Sequence, residues 1–402
     1  MRVPQELVDD IVTRVQRWQD LLTLIRASEA VFSSQVCLSL HDVVVHIASD
    51  DSQYALRDAL QHHPSTLSHI HRLEISRDWQ PNHSWEADHF PKLMDACTEL
   101  RELRISMGCC QGWVDRFPPL HRLAIYRSMQ RLSLEELHLE GASFSTQALK
   151  ELLSVPMPPG LRHLSLLQAT IARDAQIFTA PYLIDDLTLR GTRIVVESLA
   201  IDHTSVLPGM LIFGGRAHDP ERELRELHIT GEPCVPTLYG RSLDLVTRRL
   251  LKDNPQLMRL TLTIGLRGFP DVYDLSGNAS LRSLTVAIEW CPEHRPLEGI
   301  VNSLLTVSEG GRYTLQHFNL IVRGRSSRAA HDEHRWRALD DALNRLAGLT
   351  LVIVRWVGSE GKAEQETAQD DGGERKASTE ANLERWLRNV RKRGILSIIL
   401  QA

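Results

Sequence analysis

Two stretches of the sequence hold side chains of the kind that bind a metal or a phosphate. His331-Asp332-Glu333-His334 puts two imidazoles and two carboxylates in four residues, the donor types a divalent cation takes. Arg325, Arg328 and Arg335 stand close by in sequence, and their positive charges oppose a cation. Gly214-Gly215-Arg216 has the glycines of a phosphate-cradling turn. It lacks the Lys and Ser or Thr of a phosphate loop, and no strand-to-helix junction surrounds it. His62-His63 and Cys109-Cys110 are adjacent pairs, not ligand spacings. No Gly-x-Ser-x-Gly elbow or His-Glu-x-x-His helix occurs, and the serines and histidines lack the mutual spacing of a triad. The expectation is a protein that is not an enzyme, with no catalytic residue, cofactor or metal.

Composition narrows the rest. Of 402 residues, 42% are hydrophobic and 24% charged, which is ordinary globular material with enough for a core. The net charge of −5, from 46 basic and 51 acidic residues, excludes a nucleic-acid binder that works by clustered Lys and Arg. No apolar run approaches the roughly 18–20 residues that cross a bilayer. Residues Met1 to Glu6 carry no apolar signal core. The six cysteines are scattered, with no Cys-x-x-Cys pair, so neither a disulfide framework nor a structural zinc knuckle is expected. A soluble cytoplasmic or nuclear protein with no membrane partner follows.

What organises the chain is a repeat. The phrase apolar-x-x-apolar-x-apolar starts at Ile70, Leu100, Leu134, Leu161, Ile184, Leu224, Leu257, Leu281, Leu315 and Leu346. Further copies at Leu40 and Ile395 open and close the series. After three of them a small residue, Ala142, Ala169 or Thr192, stands where leucine-rich repeats carry Asn or Cys. Between the phrases lie helical spacings such as Trp336, Leu339, Leu343 and Leu346, or Leu383, Trp386, Leu387 and Val390 before Gly394. Strand and helix alternate, one repeat cannot bury its apolar side alone, and stacked copies form a continuous core. The expected fold is an α/β leucine-rich-repeat solenoid, a horseshoe over residues 34–402. Residues 358–380 lack Val, Ile, Leu and aromatics and read as a disordered polar loop.

At the N-terminus, Val3-Pro4-Gln5-Glu6-Leu7 starts one helix and Asp20-Leu21-Leu22 lies in a second. These residues resemble the F-box, whose first helix opens with Leu-Pro-x-Glu-Leu and whose second carries Asp-Leu-Leu. With the repeats behind them, the chain is similar to the F-box-like, leucine-rich-repeat proteins of mushroom-forming fungi. The resemblance implies a substrate receptor of an SCF ubiquitin ligase, with residues 1–33 on a Skp1-type adaptor through Val3, Pro4, Leu7, Ile11, Leu21 and Leu22. The family continues into a third helix with a Trp near its end. Here Val36-Cys37-Leu38-Ser39-Leu40 reads as a strand, and Trp18 precedes the second helix. The other reading of this segment is a helical cap on the open end of the repeats, which would leave an interaction scaffold with no ubiquitin role.

Two surfaces are candidates for a protein client. The outward middle residues of the strands are Glu74, Arg104, His138, Ser165, Thr188, His228, Thr261, Thr285 and Asn319. Their hydroxyls, imidazoles and mixed charges suit a protein better than a nucleic acid. Trp79, Trp85, Trp113, Trp290 and Trp356 follow strands and line one rim, either as hot spots for a client or as seals between repeats. A monomer within a complex is expected.

Overall fold

The computed structural model describes residues 7–8, 11–12, 15, 17–27, 29–42, 44–47, 50–76, 89–112, 117–145, 148, 151–152, 160–171, 196–202, 224–231, 247–264, 272–290, 296–309, 314–324, 332–357 and 372–401. The chain divides into two compact units, with the main boundary between Val196 and Glu197. In the first unit, helices α1 (Trp18–Ala27) and α2 (Glu29–Asp42) precede the strands. Strands β1 (Val44–Ile47), β2 (Arg72–Ile75), β3 (Glu102–Gly112), β4 (Glu136–Phe144) and β5 (His163–Leu167) then lie side by side in chain order, all parallel. The short β6 (Thr170–Ile171) pairs the far end of β4. Returns between them include α3 (Asp50–His62), α4 (Pro64–Leu67), α5 (His89–Ala96) and α6 (Pro119–Met129).

The second unit repeats the plan. Strands β7 (Ser198–Asp202), β8 (Glu226–Thr230), β9 (Arg259–Ile264), β10 (Ser283–Glu289), β11 (His317–Arg323), β12 (Leu351–Val357) and β13 (Leu396–Gln401) are parallel and in chain order. Helices α7 (Pro296–Glu309), α8 (Glu333–Asn344), α9 (Gly372–Trp386) and α10 (Arg388–Lys392) fall between the later strands. Each unit is thus an open α/β array, as parallel strands joined by helical crossovers must be.

One register runs through each unit. Val45, Leu73, Leu103, Leu137 and Leu164 stand opposite one another, as do Ile47, Ile75, Ile105, Leu139 and Leu166. In the second unit the rows are Leu199, Leu227, Leu260, Leu284, Phe318 and Val352, then Ile201, Ile229, Leu262, Val286, Leu320 and Val354. Each of these side chains is at most 3% exposed. Each contributes about 1.5–3 kcal/mol on burial, which no four- to seven-residue strand could collect alone. Ala142 and Phe144 at the far end of β4, and Ala169 just after β5, extend the core at no more than 1% exposure.

Helix ends are secured across repeats. The last carbonyls of a helix have no partner inside it. The guanidinium of Arg131 donates to the carbonyl oxygens of Met94 and Cys97 in the repeat before. The Nδ2 of Asn278 donates to Leu251 O and Asn254 O, each at 2.9 Å. Arg393 donates to Leu343 O at 3.4 Å and Leu346 O at 3.3 Å. In all three cases the acceptors lie six and three residues ahead of an inward leucine, Leu100, Leu257 or Leu349. Buried Asp340 of α8 performs the opposite service, accepting the backbone N–H groups of Asn389 and Val390 at 2.8 and 3.0 Å where α10 begins.

Several expectations need correction. Residues 36–40 are the interior of α2, not a strand. A boundary at 33/34 therefore cuts a continuous helix. The opening copy of the phrase is not Leu40-x-x-Val43-x-Val45, since Val45 and Ile47 hold the two inward places. At the other end Val352 and Val354 are the inward pair, while Leu351 is 37% exposed. Leu396 and Ile398 follow in the same two places, so the phrases at Leu346 and Ile395 were read out of register. A copy at Val196-x-x-Leu199-x-Ile201 was missed, and its three residues are buried. The phrase at Ile184 and the small residue Thr192 lie outside the described residues. The polar stretch 358–380 ends earlier than expected, because α9 starts at Gly372.

Register makes a direct prediction. Leu351→Ala should change the unfolding free energy by no more than about 0.5 kcal/mol, as surface changes do. Val352→Ala, one residue on, should cost more than about 1 kcal/mol through the cavity it leaves. Denaturant melts of the two variants check this.

Candidate functional site

The strand face opposite the apolar rows carries the candidate site, since alternation sends every second side chain there and no described helix packs on it. In the first unit His46, Glu74, Arg104, His138 and Ser165 form one row, and Arg72, Glu102, Glu136 and His163 the row beside it. Glu102 is the centre. Its residue is 6% exposed, with Arg72 Nε 3.4 Å from one carboxylate oxygen and Arg104 paired to the other. His138 Nε2 lies 3.7 Å from Glu102 and 3.4 Å from Glu136. His46 Nδ1 is 3.3 Å from Glu74, and the Ser106 hydroxyl donates to Glu140 at 3.2 Å. Glu102, Glu136 and His138 are close enough to share a cation. The two guanidinium groups already occupy both oxygens of Glu102, so the arrangement is an ion-pair net.

The second unit has a different face. Ala200, His228, Thr261, Thr285, Asn319, Ile353 and Ser397 form its middle row. Arg259 donates to Glu226 at 2.8 Å beside it. Desolvation by its neighbours lowers the pKa of His228. Towards the last strands the outward residues turn apolar, with Ile321, Leu351, Ile353 and Ile399 around Arg355. Asn319 Oδ1 and Arg355 Nε are enclosed there without a hydrogen-bond partner among the described residues.

Glu74, Arg104, His138, Ser165, His228, Thr261, Thr285 and Asn319 are therefore in register on the faces expected of them, with Ser165 nearly buried at 9%. Thr188 lies outside the described residues, as do Val3, Pro4, Trp79, Trp85 and Trp113. Trp290 and Trp356 are sealing residues, not rim hot spots. They are 8% and 3% exposed, with ring centroids 6.1 Å apart. Trp290 also stacks on Trp336 at 5.9 Å, and Trp336 on Trp386 at 6.3 Å. Gly324, at φ +140°, takes the Trp356 indole N–H on its carbonyl at 2.9 Å, and a Cβ there would meet Trp290 at 3.1 Å. Leu21 and Leu22 are 1% and 7% exposed. They fill the core of the helical segment and do not face outward. Leu7 is 50% exposed and Ile11 half-buried, while Val8 and Val12 point inward at 2% each.

Reading only the middle residue of each phrase missed Arg72, Glu102 and Glu136, and placing the opening copy at Leu40 missed His46. The signal for the first three was present, because the residue just before the second apolar position shares the outward face. No protein-family model matches the chain, and no curated protein matches it in sequence.

Glu102→Ala should destabilise the first unit by only about 1 kcal/mol, since Arg72 and Arg104 are 49% and 46% exposed and can return to water. Melts in rising salt should close the gap between variant and wild type, because screening weakens the net being removed. A gap that stays constant in salt refutes the ion-pair account.

Proposed function

We propose that the chain is an irregular leucine-rich-repeat protein that binds a protein client on its open strand faces and docks an SCF-type adaptor through its N-terminal helices. The observation that carries the first half is the shared register of the outward residues, polar from His46 to Ser165 on the first unit and from His228 to Asn319 on the second. Seven strands at about 4.8 Å spacing make a face about 30 Å wide, which suits the roughly 800 Å² per partner of an ordinary protein interface. Its polarity supports the same reading. Paired charges on one unit, and hydroxyls grading into Ile321, Ile353 and Ile399 on the other, offer a polar rim and an apolar anchor.

The second half is supported by α2. The F-box resemblance calls for three helices, and residues 7–8 and 11–12, α1 and α2 supply helical segments in that order. Trp18 at 4% exposure and Leu21 fill their core, while Leu7 is left outside for an adaptor. On this reading the repeats hold the client and ubiquitin transfer is the work of another subunit.

Binding of the untagged chain to a Skp1-type adaptor, beside Leu7→Asp and Ile11→Asp combined, tests the assignment. The expected result is submicromolar affinity for wild type and loss of binding in a variant that still unfolds cooperatively. No binding by folded wild type would leave a capped interaction scaffold with no ubiquitin role.

A further inference from the structure

Where α2 meets the first repeat, four side chains from three turns of the chain converge. His41 lies in the last turn of α2, His69 and His71 just before β2, and Glu99 just before β3. His41 Nε2 is 3.2 Å from His69 Nδ1, and His71 Nε2 is 3.4 Å from Glu99 Oε2. The donor atoms of His41, His71 and Glu99 all fall within 4.8 Å of one another. Zinc at 2.0–2.1 Å from four ligands in a tetrahedron sets those ligands about 3.3 Å apart. The His71–Glu99 edge of this cluster is already near that length. None of the four takes part in the Glu102 net or faces the open strand surface.

We propose that His41, His71 and Glu99, with His69 hydrogen-bonded to the His41 ring, form a zinc site that ties the N-terminal helices to the first two repeats. Two imidazoles and one carboxylate are borderline donors that suit Zn2+ over Mg2+ or Ca2+, which prefer all-oxygen sets, and a water completes the tetrahedron. The imidazoles must be neutral to bind. Burial lowers the pKa of His71, with His41 and Arg101 pushing the same way and Glu99 opposing. Arg101 is exposed to solvent, which screens its repulsion of the cation, and Glu99 brings a compensating negative charge. The rings of His41 and His71 are stacked, with centroids 4.0 Å apart and planes within 7°. Their lone pairs are therefore parallel, and coordination requires one ring to turn about its Cβ–Cγ bond. That torsion is broad and soft. Metal binding thus breaks the stack and ties His41 to His71 and to Glu99, themselves 28 positions apart. The site is independent of whether an adaptor binds.

Calorimetric titration of the chelator-treated, untagged chain with Zn2+, and with Co2+ followed by its visible spectrum, provides the test. One equivalent should bind with a tetrahedral Co2+ spectrum, and thermal unfolding should move to higher temperature with added zinc. His41→Asn with His71→Asn should abolish that event. Should the double variant fail to fold, Glu99→Gln decides, because this side chain is 55% exposed and not part of the core. Loss of even an outer partner costs about 10–100-fold in affinity, so Glu99→Gln should weaken binding at least that much. A folded wild type that takes up no zinc, an octahedral Co2+ spectrum, or wild-type affinity in the folded variants would overturn the site.

Discussion

A short parallel strand cannot stand by itself, and everything else in this protein follows from that constraint. Each strand offers two inward side chains in its central stretch, and their burial counts only when the next strand arrives in the same register. A slip of one residue would send Leu73 and Ile75 to water and Glu74 into the core. The backbone ladder fixes the spacing and the two apolar rows fix the phase. Because phase is fixed, the outward residues are fixed as well, and rows such as Thr261, Thr285 and Asn319 come into line without any contact of their own that requires it. The candidate binding faces are therefore a by-product of core packing. Their chemistry is free to change while the fold stays.

That freedom shows in how the two faces differ. On the first unit Glu102 is enclosed and its charge must be matched on the spot, which Arg72 does from the neighbouring strand and Arg104 from two residues along its own. An unmatched carboxylate at that depth would be costly. On the second unit the outward residues are hydroxyls and then aliphatics, which need no such matching.

The same local facts explain how far the sequence could be read. Register was legible wherever outward residues were polar, as from Ile70 through Leu166 and from Leu224 through Leu320. It failed at β12, where the outward Leu351 and the turn residues Leu346 and Leu349 completed a false copy of the phrase. α9 was illegible to a reading based on apolar content alone. Its residues 372–382 are largely Glu, Lys, Ala and Arg, strong helix formers, and its far end buries Leu383 and Trp386. The Trp290, Trp336, Trp356 and Trp386 stack could not be read from spacing, since it joins strand ends to helices across four segments. The histidine cluster carried a signal that went unread: both of its pairs are one repeat apart.

Irregular repeat length has a physical counterpart in the helix caps. Strands stay at about 4.8 Å from one another whatever lies between them, while a helix needs about 10 Å. A longer return therefore carries more structure between one helix end and the donor that must reach it. Where the return is short, Asn278 reaches Asn254 O from 24 residues on. Where it is longer, arginine replaces it, as Arg131 reaching Cys97 O from 34 residues on and Arg393 reaching Leu346 O from 47. The acceptor carbonyls stay in the same place relative to the inward leucine, and the donor lengthens to meet them. A repeat array held by such caps tolerates insertions in its returns, because the strand register never depends on the length of the chain outside it.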